Sequence, residues 1–248
     1  SGNLDGAVSD LLAVIFARSG GFSVHATSYT DGNYNLVAGG MAGISSAADL
    51  GGKEIAISRN TIIEYVTDEI LTVNGMGEQD VSKVVIPQIP VRLEMLQSGN
   101  LAAAVLPEPM ASAGMLKGKT MGVNVVRGFD LVKAWGQAFD TKPLIPMAGI
   151  IANEEYFHAH KVQFDIFHQD LKNALNWILA NRQSAAKIGK NYLPAPEPAL
   201  VMGLDGARLT VTKGSEVKNE ILKFYEILMQ FNPKLLGGKM PDDSFFLM

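Results

Sequence analysis

The chain has 248 residues, of which 47% are apolar and 19% charged, and its formal net charge is −4. Such a composition can bury a sizeable core in one or two domains, and with no basic block it argues against nucleic acid as a partner. Cysteine is absent, which excludes disulfides, thiolate metal sites and cysteine nucleophiles, and no apolar run is long enough to span a membrane as a helix.

In chain order, residues 4–8 form an apolar run after a glycine turn and predict a buried strand. Residues 11–18 read as a helix, 22–29 as a strand, 30–33 as a turn and 35–38 as a further strand released by Gly39-Gly40. A single helical turn is expected over 46–50 and a strand over 54–58. Thr61 with Glu64 three residues later is a capping box, opening a helix to about residue 74. A strand over 83–86, a helix over 91–97, a strand over 101–106, a short helix over 110–116 and a strand over 121–126 follow. This alternation predicts parallel βαβ units. Residues 144–152 read as an extended crossing segment. Beyond them the pattern turns helical: Phe167, Leu171, Leu175 and Ile178 share one face, as do Val217, Ile221, Phe224 and Leu228. Three prolines over 192–198 predict a loop.

One phrase occurs twice. Residues 1–8 read Ser-Gly-Asn-Leu-Asp-Gly-Ala-Val and residues 98–105 read Ser-Gly-Asn-Leu-Ala-Ala-Ala-Val, each running into a turn and then a helix-like stretch. Two units of one design suggest two similar α/β lobes with a small-molecule cleft between them. Ser58-Arg59-Asn60-Thr61 stands where a strand gives way to a helix, a place where free N–H groups and the helix dipole favour an anion. Ser9-Asp10 stands at the matching place of the first repeat, and Glu108 follows the strand of the second. Ligands lie beyond the carboxyl ends of strands in open α/β sheets. The candidate ligand-binding residues are therefore Ser9, Asp10, Tyr29, Thr30, Ser58, Arg59, Asn60, Thr61 and Glu108. Each also has a plain structural use: Asp10 and Thr61 as helix caps, Arg59 as a solvated side chain, Glu108 in a proline-stiffened turn.

Glu154, Glu155, His158 and His160 form a metal-like cluster, but His158 and His160 are two apart and do not share a helical face, so no metal is expected. Residues 114–120 are one residue short of a phosphate loop, and Ser184-Ala-Ala-Lys187 lacks companion motifs. No catalytic residue and no cofactor is expected.

Three phrases carry a family resemblance. Asp49-Leu50-Gly51-Gly52-Lys53-Glu54-Ile55-Ala56-Ile57-Ser58 is similar to the D-L-x-G-K-x-[IV]-[AG]-[IV] phrase of type 2 periplasmic binding proteins. Residues 1–8 are similar to their S-G-x-L-D-x-A phrase, and Ala104-Val105-Leu106-Pro107-Glu108-Pro109 to their A-x-x-x-E-P phrase. To about residue 160 the chain resembles the solute-binding proteins of ABC importers for nitrate, sulfonates, taurine and pyrimidine precursors. The resemblance implies a two-lobed α/β fold with a mixed sheet in each lobe and a ligand cleft between. Lobe I would hold 1–44 and 149–248, lobe II 45–148, with hinges near 36–44 and 146–152. It implies a binding protein, not an enzyme, that captures a small anionic or polar organic solute (a sulfonate, a pyrimidine or a related compound) by lobe closure. The solute would pass to a membrane permease with its ATPase. The resemblance places the protein in the periplasm or outside the cell, free or lipid-anchored, as a monomer. In the family two βα units, about 50 residues, precede the first phrase. Without them lobe I would expose a sheet edge and invite dimerisation. Two alternatives stay open: an enzyme on the same fold, of menaquinone- or pyrimidine-pathway type, and the effector-sensing domain of a transcriptional regulator.

Overall fold

The computed structural model describes residues 4–19, 24–30, 34–39, 43–59 and 61–247, with 24, 25, 28–30 and 34 described by backbone alone. The chain runs β1 (Gly6–Asp10), α1 (Leu11–Ser19), β2 (Val24–Thr30), β3 (Tyr34–Gly39), a 3₁₀ turn (Ala47–Leu50), β4 (Glu54–Ile57) and α2 (Ile62–Val73). There follow β5 (Ser82–Val85), α3 (Ile89–Gln97), β6 (Ala103–Pro107), α4 (Met110–Thr120), β7 (Val125–Asp130) and α5 (Leu131–Phe139). The remainder is β8 (Ala148–Asn153), α6 (Glu154–Ala159), α7 (Lys161–Ala180), α8 (Arg182–Gly189), α9 (Glu197–Gly206), β9 (Thr212–Lys213) and α10 (Lys218–Phe231).

The repeated phrase does what its repetition suggests. β1 and β6 both begin at the sixth residue of their copy, Gly6 and Ala103, and each leads into a helix. In the second copy Gly99, at φ 76°, supplies the left-handed turn that a side chain would resist, and Asn100 donates to Ser98 Oγ at 2.9 Å. The first three residues of the other copy lie outside the described residues.

The chain divides into two compact units. Unit 1 comprises Ser1–Asp31, Leu144–Ala180 and Leu209–Met248; unit 2 comprises Gly32–Pro143 and Asn181–Arg208. This differs from the expected 1–44, 45–148 and 149–248. Parts of the segments expected as hinges, 36–39 and 148–152, lie in strands: β3 pairs with β6 and β7 in unit 2, and β8 pairs with β1 and β2 in unit 1. Helices α8 and α9 belong to unit 2 because Ala186, Ala199 and Leu200 pack with Ala113 and Leu116 of α4.

Unit 2 holds a five-stranded sheet in the order β5-β4-β6-β3-β7, parallel except for β3. Its inner strands β4, β6 and β3 are buried on both faces over most of their length, so they read as continuous apolar runs and not as alternations, whereas the edge strands β5 and β7 are partly exposed. One face presents Val37, Ala56, Ala104 and Leu106 to Leu93 and Leu96 of α3 and Ala111 of α4. The alternate positions Leu36, Ile55, Ile57 and Val105 are equally inaccessible. Gly118 lets α4 approach its following strand: a Cβ there would lie 2.8 Å from the Val123 carbonyl oxygen. The glycines of the would-be phosphate loop therefore serve packing. Helix α5 was not foreseen. Asp130 caps it, accepting from the Val132 and Lys133 N–H groups at 2.9 and 3.0 Å, and it buries Trp135.

Unit 1 holds a four-stranded sheet in the order β1-β8-β2-β9. Every pairing in it is antiparallel, because β8 returns between β1 and β2. Among the described residues the named strands mix directions in unit 2, whereas in unit 1 the one parallel pairing is an isolated bridge between Ala26 and Phe246. Strand β1 lies at the sheet edge with Val8 69% exposed, and Phe16 of α1 is 60% exposed. Helix α10 buries Ile221, Phe224 and Leu228 as expected, whereas on α7 the buried residue is His168 and Phe167 is exposed. The face that packs runs through His168, Leu171, Leu175 and Ile178, one position away from the expected start. Tyr225 is fully buried and its hydroxyl has no hydrogen-bond partner. Burial and the nearby Asp10 carboxylate push its pKa well above the usual phenol value. Tyr225→Phe removes an unsatisfied hydroxyl, so it is expected to leave stability unchanged or raise it by up to about 1 kcal/mol. Denaturant melts check this, and a clear loss would show that the hydroxyl is bonded in solution.

Candidate functional site

In unit 1 the register brings four of the predicted residues to one end of the sheet. Ser9 and Tyr29 flank Gly149, and Asp10 and Thr30 flank Ala148, from the two strands on either side of β8. Asp10 caps α1: its Oδ1 accepts from the Leu12 and Ala13 N–H groups at 2.8 and 3.2 Å. Asp10 is exposed as a residue, yet desolvation of its carboxyl raises its pKa against the pull of these two bonds. Ser9 makes a long bond to the Asp10 carbonyl, 3.4 Å. The side chains of Tyr29 and Thr30 lie outside what is described.

In unit 2 the carboxyl ends of β4 and β6, adjacent and parallel, place Ser58 and Glu108 at the same edge of the sheet. Ser58 is half-buried, and its Oγ accepts a hydrogen bond from Arg92 Nη1 of α3. Thr61 is the N-cap of α2: its hydroxyl donates to the Ser58 carbonyl at 2.9 Å and accepts the Glu64 N–H at 3.4 Å. Both capacities of that hydroxyl are engaged within the turn. The N–H groups of Ile62 and Ile63 have no acceptor within the helix, as the first turn of any helix requires. The Arg59 guanidinium is 68% exposed and lies 3.9 Å from Glu64. Asn60 lies outside the described residues.

Glu108 was expected as a ligand contact, with a solvated turn as its plainer use. Its side chain is 2% exposed and faces inward, where Arg127 of β7 donates to Oε1 through Nε at 3.2 Å and also through Nη2. Oε2 accepts the Ser112 N–H at 3.1 Å, neutralising the start of α4, and Arg127 Nη2 donates to Ser112 Oγ at 2.9 Å. Helix α9 closes over this cluster through two glycines: a Cβ at Gly203 would lie 3.3 Å from Glu108 Oε2, and one at Gly206 3.1 Å from Oε1. In place of the plainer alternative, a solvated side chain in a proline-stiffened turn, stands a buried ion pair, because Arg127, nineteen positions later, lies on a strand of the same sheet.

Arg92 escaped the sequence reading. It is 1% exposed, donates to Ser58 Oγ and to the Ile86 carbonyl at 2.9 Å, and its Nε has no partner. Desolvation lowers its pKa. The one signal available was its position: Arg92 shares a helical face with Ile89 and Leu96, where an apolar residue is the rule. A separate open groove of about 490 Å³ in unit 2 is lined by Ser45, Ser46, Ile70, Asn74, Asp130 and Lys133 among others, and by none of the predicted site residues. Among the described residues no group of three His, Asp or Glu is arranged to hold a metal, and no helix is long and apolar enough to cross a membrane.

A family profile described as NMT1/THI5 like matches residues 1–185, and the chain belongs to that family. Among curated proteins none matches this chain. Solved structures share the fold. The periplasmic aliphatic sulphonate binding protein SsuA from Escherichia coli aligns with a TM-score of 0.78 at 17% identity, over 96% of this chain and 78% of its own. An ABC transporter structure from Parabacteroides distasonis aligns with a TM-score of 0.76 at 16% identity, over 98% and 81%. The alkanesulfonate-binding protein SsuA from Xanthomonas axonopodis pv. citri, bound to MOPS, gives 0.69 at 14% identity, over 99% and 79%. The fold is thus that of periplasmic binding proteins.

Proposed function

We propose that this chain is the substrate-binding component of an ABC importer and captures a small anionic or polar organic solute, such as a sulfonate or a pyrimidine, by lobe closure. It hands the solute to a membrane permease coupled to an ATPase, from the periplasm or the cell exterior. The observation that carries this reading is the unit 2 site: a half-buried serine hydroxyl, backed by a buried guanidinium, at the start of a twelve-residue helix. Such a place binds oxyanions through N–H groups, a hydroxyl and the helix dipole. Family membership supports the reading, and binding needs no general base or nucleophile at this place. The candidate contacts of unit 1 are Ser9, Asp10, Tyr29 and Thr30, and those of unit 2 are Ser58, Arg59, Asn60 and Thr61, with Thr61 and Asp10 acting mainly as caps and Glu108 as a buried support in unit 2.

The test is a thermal-shift and calorimetric screen of sulfonates, taurine, nitrate, short carboxylates and pyrimidines. A true solute held at a hundredfold above its Kd stabilises the protein by about 2.7 kcal/mol. Ser58→Ala is expected to weaken that binding about tenfold or more, the worth of one hydrogen bond to a charged group. If no compound shifts the melt, the transport reading fails. Chemical conversion of a bound compound would favour the enzyme alternative instead.

A further inference from the structure

Arg92 stands apart from the other cations of unit 2. Arg127 is paired with Glu108, Arg208 lies 3.5 Å from Asp130, and Lys83 lies 2.7 Å from Asp68. Arg92 is more deeply buried than any of these, yet among the described residues it forms no ion pair, and its Nε has no acceptor at all. Its two bonds go to neutral oxygens, the Ile86 carbonyl and Ser58 Oγ. A buried charge without a counter-ion is disfavoured, and folded proteins pair such groups with an opposite charge. Among the described residues no carboxylate meets this charge.

The direction of the Ser58 bond matters as much as the charge. A guanidinium can only donate, so Ser58 Oγ is the acceptor. The hydroxyl proton is then left free to donate elsewhere. The residue is half-buried, so that proton can reach a bound molecule beside the first turn of α2, where the Ile62 and Ile63 N–H groups have no acceptor in the helix. The three donors and the one positive charge without an ion pair are all of the sign that suits an oxyanion. In a desolvated place this charge acts at longer range and with less screening than a surface arginine such as Arg59.

We propose that Arg92 is a positioning residue that fixes the charge class of the solute: it holds Ser58 as an outward donor and makes this site select a singly negative carboxylate or sulfonate head group over a neutral one. The proposal rests on the solute-binding reading above and narrows it, since neutral pyrimidines fall outside it. Arg92 acts from beneath the site, through Ser58 and through its field.

The test uses matched pairs of probes that differ in charge and little else: butyrate against butyramide, and propanesulfonate against propanesulfonamide, each titrated calorimetrically into the whole chain. Wild type is expected to prefer the anion of each pair at least tenfold. Arg92→Gln keeps a donor near Ser58 and the Ile86 carbonyl but removes the charge; it is expected to weaken anion binding tenfold or more and change amide binding less than twofold. Arg92→Lys keeps the charge and is expected to keep the preference. Equal binding of anion and amide by wild type overturns the proposal while leaving solute binding intact, and so does an undiminished preference in folded Arg92→Gln. Failure of wild type to bind any probe, together with an empty screen of the other solutes, overturns the solute-binding reading and this proposal with it. Should Arg92→Gln fail to fold, wild-type crystals soaked in propanesulfonate decide by the anomalous signal of sulfur: a peak beside Ser58 and the start of α2 supports the assignment, and a peak elsewhere overturns it.

Discussion

Arg127→Met is expected to destabilise the protein by about 3 kcal/mol, because it strands a buried carboxylate without its partner. The Glu108 side chain is 2% exposed, and its Oε1 takes two of the three bonds that Arg127 gives. The guanidinium is one-third open to water, which holds the expected loss at the lower end of the range for buried pairs. The loss corresponds to a fall in melting temperature of roughly 6–12 °C if the chain melts as one unit. Glu108→Gln combined with Arg127→Met should recover part of the loss, since no unpaired charge then remains. A double-mutant cycle read by denaturant melts checks both statements, and a single-mutant loss below about 1 kcal/mol would mean that water reaches Glu108. The pair also ties β6, β7, the start of α4 and the glycine face of α9 together at the end of the sheet where Ser58 stands.

Glu69→Gln is expected to raise stability at about pH 8 by about 1–2 kcal/mol and to leave it nearly unchanged at about pH 4. Glu69 Oε2 is inaccessible and without a hydrogen-bond partner. Desolvation and the neighbouring Asp68 raise its pKa from 4.5 to about 7. The sign follows from linkage. Between these two values the native state holds a proton that the unfolded chain has released, so stability falls as pH rises through the window. Above it the native protein carries a buried charge that glutamine does not. The expected magnitude is less than the full shift would give, because the carboxyl is only partly desolvated. Denaturant melts of both proteins from about pH 4 to 8 read the difference directly, which cancels every other titrating group; a constant difference across that range would rule out titration of Glu69 as its source.

Much of the fold was legible because its signals are local. The repeated phrase placed β1 and β6 at the same offset, and Thr61 capped α2 where its spacing with Glu64 said it would. Asp10 and Thr61 became caps, the plainer of their two uses, because a carboxylate or hydroxyl beside an open helix start is engaged by the nearest N–H groups. What stayed hidden has one kind of cause. The enclosure of Glu108 in an ion pair was not legible because its partner Arg127 is nineteen residues away, and nothing in either neighbourhood announces the other. The pairing of 36–39 and 148–152 inside sheets was hidden too, because an extended apolar segment looks the same whether it crosses between units or pairs with neighbours.

By itself the sequence determined the alternation of strands and helices, the helix starts, the strand-end residues at Ser9, Asp10, Ser58 and Glu108, and the exclusion of cysteine chemistry. These follow from periodicity, capping and composition, which act over a few residues. Tertiary structure alone decided which strands pair, that α8 and α9 belong with α4, that Glu108 and Arg127 form a buried pair, and that Arg92 lies unpaired beneath Ser58. Those depend on contacts between segments far apart in the chain, where burial converts an ordinary charged side chain into either an ion pair or an unmet charge.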